Sequence, residues 1–527
     1  MTWQTIADLV EGKAAASADA ARPILTFVTV AADGTLEDET RSYAQLADNG
    51  ARVAGWLAAQ GLKAGDCIAI MMNNHPEFVE AIIAAARIGA SWVPIDARTI
   101  GDKLAYMLDF AGCRGVIAAD YCLAAVEAVA PAAESVEWIL AIGEAPDARP
   151  GGPIVVTPYA AALAAEPAPR AEVEPDSAMF LMYTSGTTGN PKAVVHTHAQ
   201  SMRSGAGLKA LGVRDDDVLY TGLSLTHINA LGTLRSSLTM SLPAVISRKF
   251  TKSRLWDICR AYGCTTFNLL GGMIPEVFAA PPRPDDADNP VRLIISAGMP
   301  ESLWNAYRER FGLEICEVYG ATEGGGAMFN PPPAKVGSMG KPDPSVEAGV
   351  FDEADNRLGP NQPGELRFRR KDGSAPTVAY YRNAQASADK VKGGWFRSGD
   401  IVHCDEDGWF YFHHRIGGGV RRNGDFVNTA LVESVISQSP LVDDVYVFGV
   451  AQPHNIAGEK TLVALVVPSD PAHFAAAALR EFCLAKLQRN DVPEIIHVTA
   501  AIPKTVSEKP VEREAIELLR QDGVIAL

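Results

Sequence analysis

The 527-residue chain has no run of about eighteen apolar residues, so a membrane-spanning helix is not expected. Cysteine is scarce. Cys67, Cys113, Cys122, Cys259, Cys264, Cys316, Cys404 and Cys483 are scattered, and no two form a Cys-x-x-Cys pair. That argues against a disulfide framework and against a zinc site. The eight read as buried thiols of a reducing cytosol, so a cytoplasmic location is expected. Basic charge is also short: 47 Lys and Arg against 63 Asp and Glu leave a net charge of −16, which excludes a nucleic-acid binder needing a basic face. The opening, Met1 to Val10, lacks the basic n-region and apolar core of a secretory signal and reads as a first helix. What is present is ordinary for a soluble globular protein, 47% hydrophobic and 21% charged residues. The length exceeds one core and suggests roughly two to four domains.

Apolar runs of strand length alternate with amphipathic helical stretches. Cys67–Met72 reads as a buried strand, Pro76–Ile88 as a helix and Ser91–Ile95 as the next strand. Val291–Ser296, Glu301–Phe311 and Leu313–Tyr319 repeat the pattern. The fold class is therefore α/β, layered and mostly parallel. Glu166–Asp176 and Pro281–Pro290 read as surface connections. Arg415-Ile-Gly-Gly-Gly-Val is the candidate hinge, because consecutive glycines free the backbone. The boundaries expected are a large N-terminal domain at 1–414, a hinge at 415–418, and a small mobile α+β domain at 419–527.

The strongest chemical signal is Tyr183-Thr-Ser-Gly-Thr-Thr-Gly-Asn-Pro-Lys192, set between two short apolar strands. Its hydroxyls (Thr184, Ser185, Thr187, Thr188), the backbone N–H groups around Gly186 and Gly189, and Lys192 offer donors to phosphate oxygens. It is not a Walker A loop, since Pro191 precedes the lysine and a strand follows. A Gly/Thr-rich surface hairpin is the bland alternative.

The segment resembles the phosphate-binding loop of the adenylate-forming superfamily, which includes acyl-CoA synthetases, adenylation domains of peptide synthetases and firefly-type luciferases. Further segments match in the family's order. Thr221–Gly232 is similar to the acid-pocket motif, Ser296-Ala-Gly-Met-Pro300 to the adenine-side loop, and Tyr319-Gly-Ala-Thr-Glu323 to the metal motif. Trp395–Asp400 is similar to the ribose motif, Arg415–Glu433 to the hinge and following loop, and Pro503–Lys509 to the C-terminal lysine motif. The tail also resembles the carnitine/crotonobetaine-type CoA ligases.

The resemblance implies ATP, Mg²⁺ and coenzyme A as cofactors or co-substrates, and a small carboxylic acid as substrate. Ala297, Gly298, Tyr319, Gly320, Asp400, Phe412 and Arg415 would serve the nucleotide, and Gly424 the pantetheine passage. Glu323, beside Thr322, would hold the metal; a carboxylate suits Mg²⁺ on triphosphate oxygens. Asp400 can accept both ribose hydroxyls and Arg415 offers five donors. Lys509 would contact carboxylate and α-phosphate as charge builds, with Lys504 the nearby competitor. His227, Gly271, Gly272 and Gly324 would border the acid pocket, and the missing side chains suggest room for an aryl, branched or ring-bearing acid. His196 and His198 read as structural.

Departures from the family pattern are Ala193 for glycine, Gly418 at the hinge, His414 for an acid, Gly424-Asp-Phe-Val for Gly-Glu-Asn-Ile, and Glu508 for the glycine before the lysine. That last change sets a carboxylate beside Lys509. The activity implied is an AMP-forming carboxylate–CoA ligase. The alternatives are an adenylation enzyme loading a carrier protein, a luciferase-like oxygenase, and a non-catalytic nucleotide-binding regulator. Homodimerisation is left open.

Overall fold

The computed structural model describes residues 3–525 apart from 17–19, 144–153, 185–190, 203–207, 272, 417–419, 423–424, 428, 454, 456–459, 488 and 506–507. The expected strand–helix–strand unit is present: strand Cys67–Met71, helix Pro76–Ile88, strand Ser91–Ile95. Pro76 opens the helix, where its missing N–H costs nothing, and Gly89 ends it in the left-handed conformation at φ 72°. The second unit comprises strand Leu293–Ala297, helix Glu301–Phe311 and strand Glu314–Gly320.

These units build two sheets. The seven-stranded one runs in the order Val155–Pro158, Trp138–Ile142, Cys113–Ala119, Cys67–Met71, Ser91–Ile95, Ala178–Thr184, Lys192–Thr197, parallel except for the last pair. A nine-stranded sheet carries Leu293–Ala297 and Glu314–Gly320 side by side in parallel. Central strands are buried on both faces, the signature of parallel sheet covered by helices. In Cys67–Met71, Ile68 and Ile70 enter the main core, while Cys67, Ala69 and Met71 face a second core. The main core takes side chains from both sheets and from helices Ile6–Ala16, Tyr43–Ala59, Pro76–Ile88 and Ile228–Met240. Those helices form the layer between the sheets.

Downstream, strands Val346–Phe351, Gly364–Arg370, Trp395–Cys404 and Phe410–Arg415, with the short Val391–Lys392, form a five-stranded sheet with its own core. The C-terminal part is smaller: strands Val442–Val450, Thr461–Pro468 and Ile495–Val498 with helices on both sides. Leu462, Ala464 and Val466 face one of its cores, Val463 and Leu465 the other. The large N-terminal and small C-terminal division is thus present. The glycine hinge lies outside the described residues. Both connections expected at the surface, Glu166–Asp176 and Pro281–Pro290, are irregular. No helix among the described residues is long and apolar enough to cross a membrane.

One buried polar cluster ties the helix layer together. Glu80, fully buried, accepts from Arg41 Nε at 2.6 Å, Asn49 Nδ2 at 2.8 Å and the Tyr159 hydroxyl at 2.9 Å. Removing its carboxylate takes the shared acceptor from Asn49, Tyr159 and the half-buried Arg41, which keeps only Glu39 as an anionic partner. Glu80→Ala should therefore cost about 3–5 kcal/mol of stability, read as a lowered midpoint in urea unfolding with an unchanged slope.

Candidate active site

Strands Ala178–Thr184 and Lys192–Thr197 pair antiparallel with Thr184 opposite Lys192, and the Thr184 hydroxyl donates to the Lys192 carbonyl at 3.4 Å. The described ends of the motif, Thr184 and Lys192, therefore lie side by side. Ser185, Gly186, Thr187, Thr188 and Gly189 lie outside the described residues. Tyr380, absent from the motif reading, packs beside this strand pair through a bridge to Val194. Its ring lies 5.5 Å from the Lys192 ammonium, a cation–π contact, and its hydroxyl donates to Glu323 Oε1 at 2.7 Å. One side chain so joins the phosphate-loop lysine to the candidate metal ligand. Glu323 follows directly on strand Glu314–Gly320, after Thr322. Burial works to raise its pKa, but the Tyr380 hydrogen bond, its own backbone N–H, Lys390 and Arg415 outweigh this and lower it. It stands ready as an anion. Among the described residues no cluster of three His, Cys, Asp or Glu could hold a metal alone. One carboxylate completed by substrate phosphates suits Mg²⁺, which keeps most of its other ligands as water and phosphate.

The loop after Leu293–Ala297 carries Ala297 and Gly298. Gly298 has φ +99°, and a Cβ there would come within 3.2 Å of Gly271 Cα. The two glycines therefore let two loops touch. Gly271 lies against this loop, and a Cβ there would stand in ordinary contact with the Gly298 carbonyl at 3.4 Å. Buried Glu317, which the motif reading missed, holds this loop by accepting the Gly298 N–H and, at 3.2 Å, the Met299 N–H. Burial raises its pKa to about 7 despite those donors.

Asp400 lies where the sheets meet. It is 8% exposed and accepts from the Tyr319 hydroxyl on its Oδ2. Arg415 faces it directly across strands Trp395–Cys404 and Phe410–Arg415, with Nε 3.8 Å from Oδ1. Gly399, just before it within the same strand, has φ +79°. Burial, then Asp400, pushes the Tyr319 hydroxyl well above the usual phenol range, so it remains a donor. Gly320, beside Tyr319, has open space where a Cβ would stand. Phe412 is 47% exposed in the same strand as Arg415. Lys390, also missed, donates to the Arg397 and Ser398 carbonyls at 3.3 Å and is felt by Glu323 and Asp400.

His227 stands at the N-terminus of helix Ile228–Met240 in extended backbone, and its Nε2 is buried without a partner among the described residues. Burial lowers its pKa; Asp96 raises it, and Lys509 and Arg98 lower it further. His227 and Lys509 therefore share one cleft. Gly324, at φ +79°, faces open space, whereas a Cβ on Gly325 or Gly326 would strike Phe396 or Phe368 at 2.3 Å. Of that glycine run only Gly324 adds room. Gly272 lies outside the described residues.

Lys509 reaches this cleft from the C-terminal part. Its side chain is exposed. Desolvation lowers its pKa, Arg415 adds to that, and Asp400 and Glu323 oppose it. Lys504, the competitor, is engaged elsewhere: Nζ lies 2.8 Å from Asp444, 3.1 Å from Glu276 and 3.9 Å from Glu508. The expectation that Glu508 sits as a carboxylate against the Lys509 ammonium is thus corrected; it leans to Lys504. Glu508 has φ +57°, left-handed backbone in which glycine is at ease and a side chain is strained. Gly424 and Gly418 lie outside the described residues.

The AMP-binding enzyme family model matches residues 13–376, and the AMP-binding enzyme C-terminal domain matches 431–509. The chain is 30% identical over 489 residues to the long-chain-fatty-acid–CoA ligase FadD13 of Mycobacterium tuberculosis, covering 90% of this chain and 92% of that protein. It is 27% identical over 487 residues to the crotonobetaine/carnitine–CoA ligase of Salmonella typhimurium, with coverage of 90% and 92%. In fold it is similar to the anthranilate CoA ligase AuaEII in complex with anthranoyl-AMP, at TM-score 0.84, 21% identity and coverage of 100% and 99%. The o-succinylbenzoate CoA synthetase of Bacillus subtilis with its acyl-adenylate superposes at TM-score 0.78, 23% identity and coverage of 96% and 97%. With the family models matched over most of its length, and relatives named as CoA ligases, this chain is an enzyme belonging to the AMP-binding family.

Proposed function

We propose that the enzyme is an AMP-forming carboxylate–CoA ligase working through an acyl-adenylate. The observation that carries this is the position of Lys509 among Glu323, Asp400, Arg415 and His227. In the first half-reaction a carboxylate oxygen of the acid attacks the α-phosphorus of ATP. The bond from that phosphorus to the bridging oxygen breaks and pyrophosphate leaves. Asp400 accepts the ribose hydroxyls, with Arg415 and Tyr319 holding it in place. Lys509 neutralises the phosphoryl oxygens and the incoming carboxylate together, a cation placed where negative charge develops. Mg²⁺, held by Glu323, would supply charge neutralisation on the triphosphate. In the second half-reaction the thiolate of coenzyme A attacks the acyl carbon and AMP leaves, which divides one difficult transfer into two easier ones.

We assign 1–414 to the domain binding ATP and acid, 415–418 to the hinge, and 419–527 to a mobile domain that presents Lys509 first and the Gly424 loop second. Gly324 supports space for a ring-bearing or branched acid. The second reading, transfer to the phosphopantetheine of a carrier protein, uses the same first step.

Acid-dependent pyrophosphate release should require ATP and Mg²⁺; a folded protein that releases none across a broad acid panel overturns the reading. Lys509→Ala should slow that release by about 10²–10³-fold while sparing thioester formation from supplied acyl-AMP, whereas Lys504→Ala should act less. Equal loss in both half-reactions would mean a general binding role. Because the lowered pKa of Lys509 means that its ammonium is lost below the ordinary lysine range, the adenylation rate should fall on the alkaline side earlier than for a free lysine.

Gly424→Leu should leave single-turnover acyl-AMP formation intact and block acyl-CoA formation. If the wild type makes acyl-AMP but acylates only a carrier protein, the second reading holds.

A further inference from the structure

Helix Ile228–Met240, which His227 begins, carries a feature that the adenylation chemistry does not use. Arg235 is only 9% exposed, and its Nε meets no acceptor among the described residues. Burial alone lowers its pKa, to about 10; no carboxylate offsets it, and the group stays a cation. Segments 185–190, 203–207 and 272 contain no Asp or Glu, so they bring no counter-ion of their own. Other buried arginines here are partnered: Arg367 with Glu365 at 2.8 Å, and Arg41 with Glu80 at 2.6 Å. An unpaired buried cation is costly and needs a reason.

Its surroundings point to the acid pocket. His196, across from it on strand Lys192–Thr197, feels the Arg235 charge and the Glu323 charge. Its ring stacks on Phe180 with centroids 4.4 Å apart, and its Nε2 is buried without a partner among the described residues. One turn before Arg235, Gly232 has open space where a Cβ would stand. Beside it Thr233 donates to Asn268 at 3.1 Å, and Asn268 donates to Asn229 at 3.0 Å, so the neighbouring helix face is polar. Eight residues of helix separate His227 from Arg235, about 12 Å along the axis at ~1.5 Å per residue.

We infer that Arg235 receives a second carboxylate of the acid substrate, so that the enzyme activates one end of a dicarboxylic acid whose two carboxyl groups lie at most about 12 Å apart. The inference rests on the ligase reading and names its substrate class. A fatty acid would leave the guanidinium unpaired, and an acid with a quaternary ammonium tail would be repelled.

The test uses matched acids of equal length: adipate against hexanoate, terephthalate against 4-methylbenzoate, with 4-trimethylammoniobutyrate as the cationic arm. Pyrophosphate release is measured for the wild type, Arg235→Met and Arg235→Lys. The wild type should favour the diacid of a pair by about 10²-fold or more in kcat/KM, since a site built for a polar group rejects the analogue lacking it. Arg235→Met should collapse that ratio and Arg235→Lys should keep part of it. Without ligand, Arg235→Met should melt no lower than the wild type, because it removes an unpaired buried charge. A diacid should raise the melting temperature of the wild type but not of Arg235→Met, a readout that needs no turnover. A wild-type preference for the monoacid or the cationic acid, an unchanged ratio in Arg235→Met, or a diacid-induced melting shift that is absent in the wild type or equal in Arg235→Met overturns the inference. Pyrophosphate release from no acid at all would sink the ligase reading, and the melting shift would still decide the role of Arg235.

Discussion

Asp400 sits where a carboxylate is expensive to keep, almost fully buried at the junction of the nine-stranded and five-stranded sheets, and much of the site's layout follows from how it is held. The Tyr319 hydroxyl donates to it from the end of one sheet, and the guanidinium of Arg415 faces it from the neighbouring strand of the other. A buried anion without such partners would lose several kcal/mol to desolvation. The two contacts fix Tyr319 and therefore the backbone that continues to Thr322 and Glu323. They also bring Arg415, two residues before the glycine run, into the cleft.

A chain with net charge −16 must bind anions, and it does so by local concentration rather than overall charge. Lys192, Lys390, Arg415 and Lys509 gather around Glu323 and Asp400, each supplied by a different element. Tyr380 couples two of these groups by touching Lys192 with its ring and Glu323 with its hydroxyl. The C-terminal part completes the set with one residue, Lys509. Its pose is supported by Lys504, which bridges Glu276 of the large domain and Asp444 of the small one. Glu508 occupies left-handed backbone between them, a strain a glycine would not carry.

Much of the architecture could be read from the residues. The helix Pro76–Ile88 and the strand Ser91–Ile95 fall where periodicity and punctuation put them, because Pro at a first turn and Gly at a C-terminus are local signals. Boundaries elsewhere moved by a residue or two, as at Leu293–Ala297, where helix and strand ends are set by partner strands. The motifs located Asp400, Glu323, Arg415 and Lys509. They could not locate Tyr380, Lys390 or Glu317, which lie in no pattern and reach the site only through sheet pairing and loop packing.

The sequence by itself determined the alternating α/β plan, the family and the order of the chemical segments, because these depend on local propensity and on short runs of contiguous residues. Only the tertiary structure decided which of two neighbouring lysines enters the cleft, and that Gly271 packs beside the Gly298 loop. It alone separated Arg235 from the partnered arginines of the core. Each of these depends on whether a charge has a counter-charge within reach or a Cβ has a neighbour. Such distances arise between segments far apart in the chain, and no local pattern records them.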